Sequence, residues 1–94
     1  MESSLETLRE EINRIDENII YMLSKRMEVA KKIAALKKEK GIPIEDRERE
    51  KTIFLKLESE ARRNNLDEKF VSEIFGAIVS HSKLIQTNLL EEQK

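Results

Sequence analysis

Hydrophobic positions recur along the first forty residues with helical periodicity. Leu5, Leu8, Ile12, Ile15, Ile19, Met22, Val29, Ile33 and Leu36 fall on the three-and-four spacing of one helix stripe. No Pro or Gly intervenes before Gly41. The pattern therefore predicts a single helix from Leu5 to about Lys40, roughly 50 Å long at 1.5 Å per residue. One slot is wrong: the stripe calls for an apolar residue at position 26 and the chain supplies Arg26. Gly41 suits the left-handed position after a helix C-terminus, and Pro43 prevents the helix from resuming.

A second helix is expected to open at Glu45 or Asp46, with acidic residues in its first turn and Ile53, Leu57 and Ala61 on its inner face. Asn64 and Asn65 end it. Asp67 reads as the N-cap of a third helix, with Leu66 placed to staple onto Val71. The stripe of that helix is Val71, Ile74, Phe75, Ile78, Ile85 and Leu89. The expected fold is all-α, a three-helix subunit with one very long N-terminal helix. A chain of 94 residues cannot cover such a helix along its whole length. A second long helix, its own copy, is expected to lie against it, giving an intertwined antiparallel helical homodimer. No repeat, low-complexity tract or linker divides the chain, so residues 1–94 read as one domain with nothing left over for a fused second unit.

Composition narrows the function. Charged residues make up 39% and aromatics 4%, which fits helices with broad solvated faces. The regular stripes argue against disorder. Eighteen basic and nineteen acidic residues leave a net charge of -1, so no overall field draws the chain to nucleic acid or to an anionic membrane. Lys31, Lys32, Lys37, Lys38 and Lys40 cluster at the end of the first helix, where positive charge favours the C-terminus. The run reads as a solvated face with one or two functional members. With no cysteine and a single histidine, His81, neither a disulfide framework nor a thiolate or histidine metal site is expected. No phosphate loop or cofactor motif is present, and no metal or cofactor is expected. The absence of a signal peptide and of an apolar run of membrane-spanning length points to the cytoplasm.

The informative positions are polar residues that interrupt the inward stripes. Arg26 occupies a stripe slot, and Lys37, eleven residues on, lies on nearly the same face. Asp46, Arg49 and Glu50 stand at i, i+3 and i+4, on a face that continues into Ile53 and Leu57. Ser82 and Gln86 continue the line of Val71, Phe75 and Ile78. Each has a purely structural explanation: Arg26 as a register device or a snorkelling rim residue, Arg49 and Glu50 as surface ion-pair residues, Asp46 as a helix cap, Ser82 and Gln86 as interhelical hydrogen-bonders. Jointly they place a cationic set with few carboxylates toward the inside of three helices, and that describes a pocket for a small anion. Arg9 stands beside the stripe, roughly 25 Å from Arg26 along the helix axis, so one small ligand cannot touch both on one helix. Two such helices, antiparallel about a twofold axis near Ile19 and Ile20, would bring Arg9 of one copy opposite the stretch between Arg26 and Lys37 of the other.

These residues carry a resemblance. The strings Leu-Arg-Glu-Glu-Ile around Arg9 with Asp16 following, Lys25-Arg26, Lys37, Pro43-Ile-Glu-Asp-Arg-Glu-Arg-Glu50 and Ser82-Lys-Leu-Ile-Gln86 resemble the stand-alone chorismate mutases of the all-helical AroQ class, in order and with helix-compatible spacing from residue 8 to 86. The resemblance implies a homodimer that converts chorismate to prephenate in aromatic amino acid biosynthesis by a pericyclic Claisen rearrangement, without covalent intermediate or cofactor. It assigns the substrate carboxylates to Arg26 and to Arg9 of the partner chain, and the ether oxygen to Lys37 and Gln86 as hydrogen-bond donors. It assigns the substrate hydroxyl to Glu50, positioning and the local network to Asp46 and Arg49, and a carboxylate-side contact to Ser82. Two other readings stand beside it. A related helical scaffold performs isochorismate-pyruvate lysis with a similar cationic pocket, and a non-enzymatic dimerisation module could use internal charges only to set register.

Overall fold

The structure, a computed structural model, describes residues 4–92. It contains three helices: α1 over Leu5–Lys40, α2 over Arg47–Arg63 and α3 over Glu68–Glu92. Their ends follow from local chemistry. Ser4 caps α1 by accepting a hydrogen bond from the Thr7 backbone N–H at 3.0 Å. At the other end Gly41 takes the left-handed conformation, φ 67°, and its N–H reaches the carbonyls of Lys37 and Lys38. The Ile42 N–H also returns to the Lys37 carbonyl at 2.8 Å, satisfying groups that the helix end leaves open.

The second helix starts at Arg47, with Asp46 as its cap rather than its first turn; Asp46 Oδ1 accepts from the Arg49 N–H at 3.0 Å. Asn64 closes α2, and Asn65 adopts φ 57°, a left-handed conformation that asparagine tolerates. Asp67 then caps α3 through Oδ1, which accepts from the Lys69 and Phe70 N–H groups at 2.8 and 3.2 Å. Arg62 pairs with Glu68 across this turn.

Helix α3 packs against both α1 and α2. Among the described residues, the buried apolar side chains are Ala30 and Ala34 of α1, Ala61 of α2, and Val71 and Val79 of α3. The alanines, one turn apart on α1, let α3 approach closely. Leu23 and Met27 continue that line as half-buried residues. The stripe of large residues on α1 lies outside this contact: Ile15, Ile19 and Met22 are 52%, 53% and 62% exposed. From Leu5 to Met22 every residue of α1 is exposed, so the N-terminal half of the helix stands clear of the rest of the chain. The chain is accordingly elongated, 59 × 26 × 15 Å.

On α3 the reading from periodicity needs one correction. Ile74 is exposed and Val79, outside the expected stripe, is buried. At about 100° per residue, Ile74 points well away from the face that Val71, Phe75 and Val79 turn toward α1 and α2.

Candidate active site

The C-terminal half of α1, the first turns of α2 and the C-terminal half of α3 enclose a cavity of about 370 Å³. Seven residues expected at a binding site line it: Arg26 and Lys37 from α1, Asp46, Arg49 and Glu50 from the start of α2, and Ser82 and Gln86 from α3. Its apolar wall includes Val29, Ala30, Ile33, Ile44, Ile53 and Val79. The volume lies at the small end of ligand pockets, which run from roughly 300 Å³ upward.

Each polar group is set by the element that carries it. Arg26 is half-buried one turn before Ala30, where α3 packs. Among the described residues, no side chain or backbone group pairs with its guanidinium. Lys37, in the last turn of α1, donates from Nζ to the Ile44 carbonyl at 2.9 Å, which ties the ammonium to the segment joining α1 to α2. Gly41 and Asp46 fix that segment at its two ends. Asp46 is already engaged as a cap, and the Arg49 side chain beside it has no ion-pair partner among the described residues. Ser82 and Gln86 are both buried, 6% and 8% exposed. They sit one turn apart, with Gln86 Nε2 donating to Ser82 Oγ at 3.3 Å.

One lining residue lay outside the sequence reading. Lys83 Nζ meets Glu50 Oε1 at 2.7 Å, joining α3 to α2 at the cavity wall. The hydrogen bond that Lys83 donates to Glu50 raises the Lys83 pKa above its ordinary 10.5, with partial desolvation opposing it, so the ammonium stays charged throughout the neutral range. The sequence held only a weak signal, the three-residue spacing from Lys83 to Gln86; that Val79, four residues before Lys83, also faces inward is shown by the structure.

The resulting cavity holds four cations, Arg26, Lys37, Arg49 and Lys83, against two carboxylates. Glu50 is neutralised by Lys83 and Asp46 is spent on the cap. The surplus is positive, Arg26 and Lys37 from α1 and Arg49 from α2, which suits a small molecule with more than one negative charge. Arg9 is elsewhere. It lies near the exposed start of α1, in a shallow groove with Leu5, Glu6, Glu10 and Asn13. Among the described residues, no cluster of acidic or histidine side chains could hold a metal ion, and no helix is long and apolar enough to cross a membrane.

Comparison with known proteins places the chain in a family. The family model described as chorismate mutase type II matches residues 8–87. A chorismate mutase of Methanocaldococcus jannaschii is 36% identical over 92 residues, spanning 98% of this chain and 93% of that protein. A bifunctional chorismate mutase/prephenate dehydratase of Buchnera aphidicola is 38% identical over 90 residues. Its counterpart in Escherichia coli is 30% identical over 91 residues. The matches cover nearly all of this chain but only 23% and 24% of those two bifunctional proteins.

Proposed function

Because this chain belongs to the chorismate mutase type II family, we propose that two copies pack antiparallel along α1 and form two equivalent active sites, each completed by Arg9 of the other copy. The activity is that of chorismate mutase, an isomerase that converts chorismate to prephenate. Relatives that join this activity to a prephenate dehydratase place it in aromatic amino acid biosynthesis. Residues 1–94 act as one catalytic domain.

The observation that carries the site assignment is the convergence of Arg26, Lys37, Arg49, Glu50, Ser82 and Gln86 on one cavity of positive surplus. Chorismate carries two carboxylates. The guanidinium of Arg26, with no protein partner among the described residues, presents a planar fork to one of them, and Arg9 of the second copy presents another. Ser82 adds a contact on the carboxylate side. Arg49 and Asp46 shape the local network, with Asp46 also holding the start of α2. Glu50 accepts the substrate's ring hydroxyl.

The reaction is unimolecular: the bond between ring carbon and ether oxygen breaks while a new carbon–carbon bond forms, and no proton needs to move. Catalysis therefore consists of holding a compact conformer and stabilising the charge that grows on the ether oxygen. Lys37 and Gln86 donate to that oxygen. Their present partners, the Ile44 carbonyl and Ser82 Oγ, hold both donors in place. Removing a preorganised donor of this kind costs about 100-fold or more in turnover.

The dimer is supported by how little the single chain buries. No large side chain among the described residues is fully buried, while Leu5, Leu8, Ile12, Ile15, Ile19 and Met22 form an exposed apolar line on α1. Covering a Leu or Ile is worth roughly 1.5–3 kcal/mol when complete, so a second α1 laid along this line offsets the cost of association.

The test is direct. Purified protein added to chorismate without metal or cofactor should consume it and yield prephenate, with kcat/KM falling by about 100-fold in Arg26→Ala for loss of a charged, bidentate contact. Wild-type protein that leaves chorismate unchanged would reject the reading.

A further inference from the structure

The Lys83–Glu50 pair differs from the pairs Lys25–Glu28, Arg47–Glu45, Lys51–Glu48, Arg62–Glu68 and Arg63–Glu60. The others join exposed side chains, whereas here the two side chains are only 35% and 23% exposed and both line the cavity. The 2.7 Å separation is that of a charge-assisted hydrogen bond. The contact engages Oε1 of Glu50; Oε2 has no partner among the described residues.

A carboxylate at the first turn of a helix has free side-chain torsions, and its oxygens interchange by rotation unless one is held. Lys83 supplies that hold from a different helix, anchored beside the buried Val79 and Gln86. It also offsets the negative charge that Glu50 would otherwise turn toward a dianionic substrate. Glu45 and Arg47, the other charges felt by the Lys83 ammonium, are exposed and bridge to each other at 3.7 Å, so neither replaces Glu50 as its partner.

We propose that Lys83 is a positioning residue, which clamps Glu50 Oε1 so that Oε2 stands as a fixed acceptor for the substrate's ring hydroxyl and makes the site selective for a hydroxyl donor at that ring position. The assignment rests on the reading that Glu50 meets the hydroxyl. A site built to pair a substrate hydroxyl rejects the analogue that lacks it, because the protein acceptor is then left unsatisfied. Lys83 sharpens that rejection by denying Glu50 other orientations.

The experiment compares kcat/KM for chorismate with kcat/KM for its analogue lacking the ring hydroxyl, and takes the ratio. A general loss of folding or of anion affinity lowers both values and cancels. Glu50→Ala should collapse the ratio. Lys83→Met should lower it about tenfold, a minor part of the roughly 10⁴-fold discrimination that a site built around one substrate hydroxyl can provide. Lys83→Arg should restore most of it, and Lys83→Met combined with Glu50→Ala should fall no lower than Glu50→Ala alone, as residues acting through one contact do. Should Lys83→Met fail to fold, Lys83→Gln carries the same prediction. A collapsed ratio in Glu50→Ala with a wild-type ratio in the folded Lys83 variant overturns the role of Lys83 while leaving Glu50 in place. An unchanged ratio in Glu50→Ala overturns both.

Discussion

Gln86 and Ser82 are buried one helical turn apart, and the Gln86 amide donates to the Ser82 hydroxyl at 3.3 Å. That bond occupies one of the two N–H groups of the amide and leaves the other to serve as a donor. An amide donates at any ordinary pH. A carboxyl in the same place donates only while protonated, and an ionised one would repel the charge growing on the ether oxygen.

The expected outcome is a wild-type rate nearly flat from about pH 6 to 8, with Gln86→Glu active only on the acid side, where the carboxyl holds its proton. The check is kcat/KM against pH for both proteins. A wild-type profile that collapses above pH 6 would remove Gln86 as the ether donor.

The two glycines make opposite predictions for stability. Gly41 sits at φ 67°, where a side chain is strained even though nothing lies within 4 Å of an added Cβ. Gly41→Ala should cost about 1 kcal/mol. Gly76 lies within α3 with the same open space and ordinary helical backbone, so Gly76→Ala should stabilise by up to ~1 kcal/mol. Denaturant midpoints of the two variants, measured against wild type, give both signs.

The exposed line on α1 predicts concentration dependence. Ile15→Lys or Ile19→Lys places a charge where the second α1 is expected to pack, and should yield a weakened dimer whose specific activity falls on dilution. Sedimentation and activity, followed over the same concentration range, should decline together. A monomeric variant with full activity would separate catalysis from dimerisation.

Much of the fold was legible because its punctuation is chemical. Gly41 with Pro43, Asp46, Asn64 with Asn65, and Asp67 mark the helix ends, and each does so through a hydrogen bond or a dihedral that few other residues supply. The packing within the chain was harder to read. Periodicity weights large residues, and the large residues of α1 form the outward line, whereas α3 packs on the small Ala30 and Ala34 beside it. The cavity residues announced themselves as polar interruptions of apolar stripes. Lys83 did not, because it lies on the flank of α3 and acquires its place only through Glu50 of another helix. Arg9 shows the limit of one chain: nothing within its own groove explains it, and its assignment depends on a second copy.

That second copy is best tested by subunit exchange. Arg9→Ala and Arg26→Ala homodimers should each be nearly inactive, since every pocket in either lacks one arginine. When the two are mixed, each heterodimer has one intact pocket and one missing both. Recovered activity, rising with the fraction of heterodimer toward half of the wild-type activity per dimer, is the predicted result. No recovery in a mixture whose heterodimers are confirmed by mass would contradict a site shared between two chains.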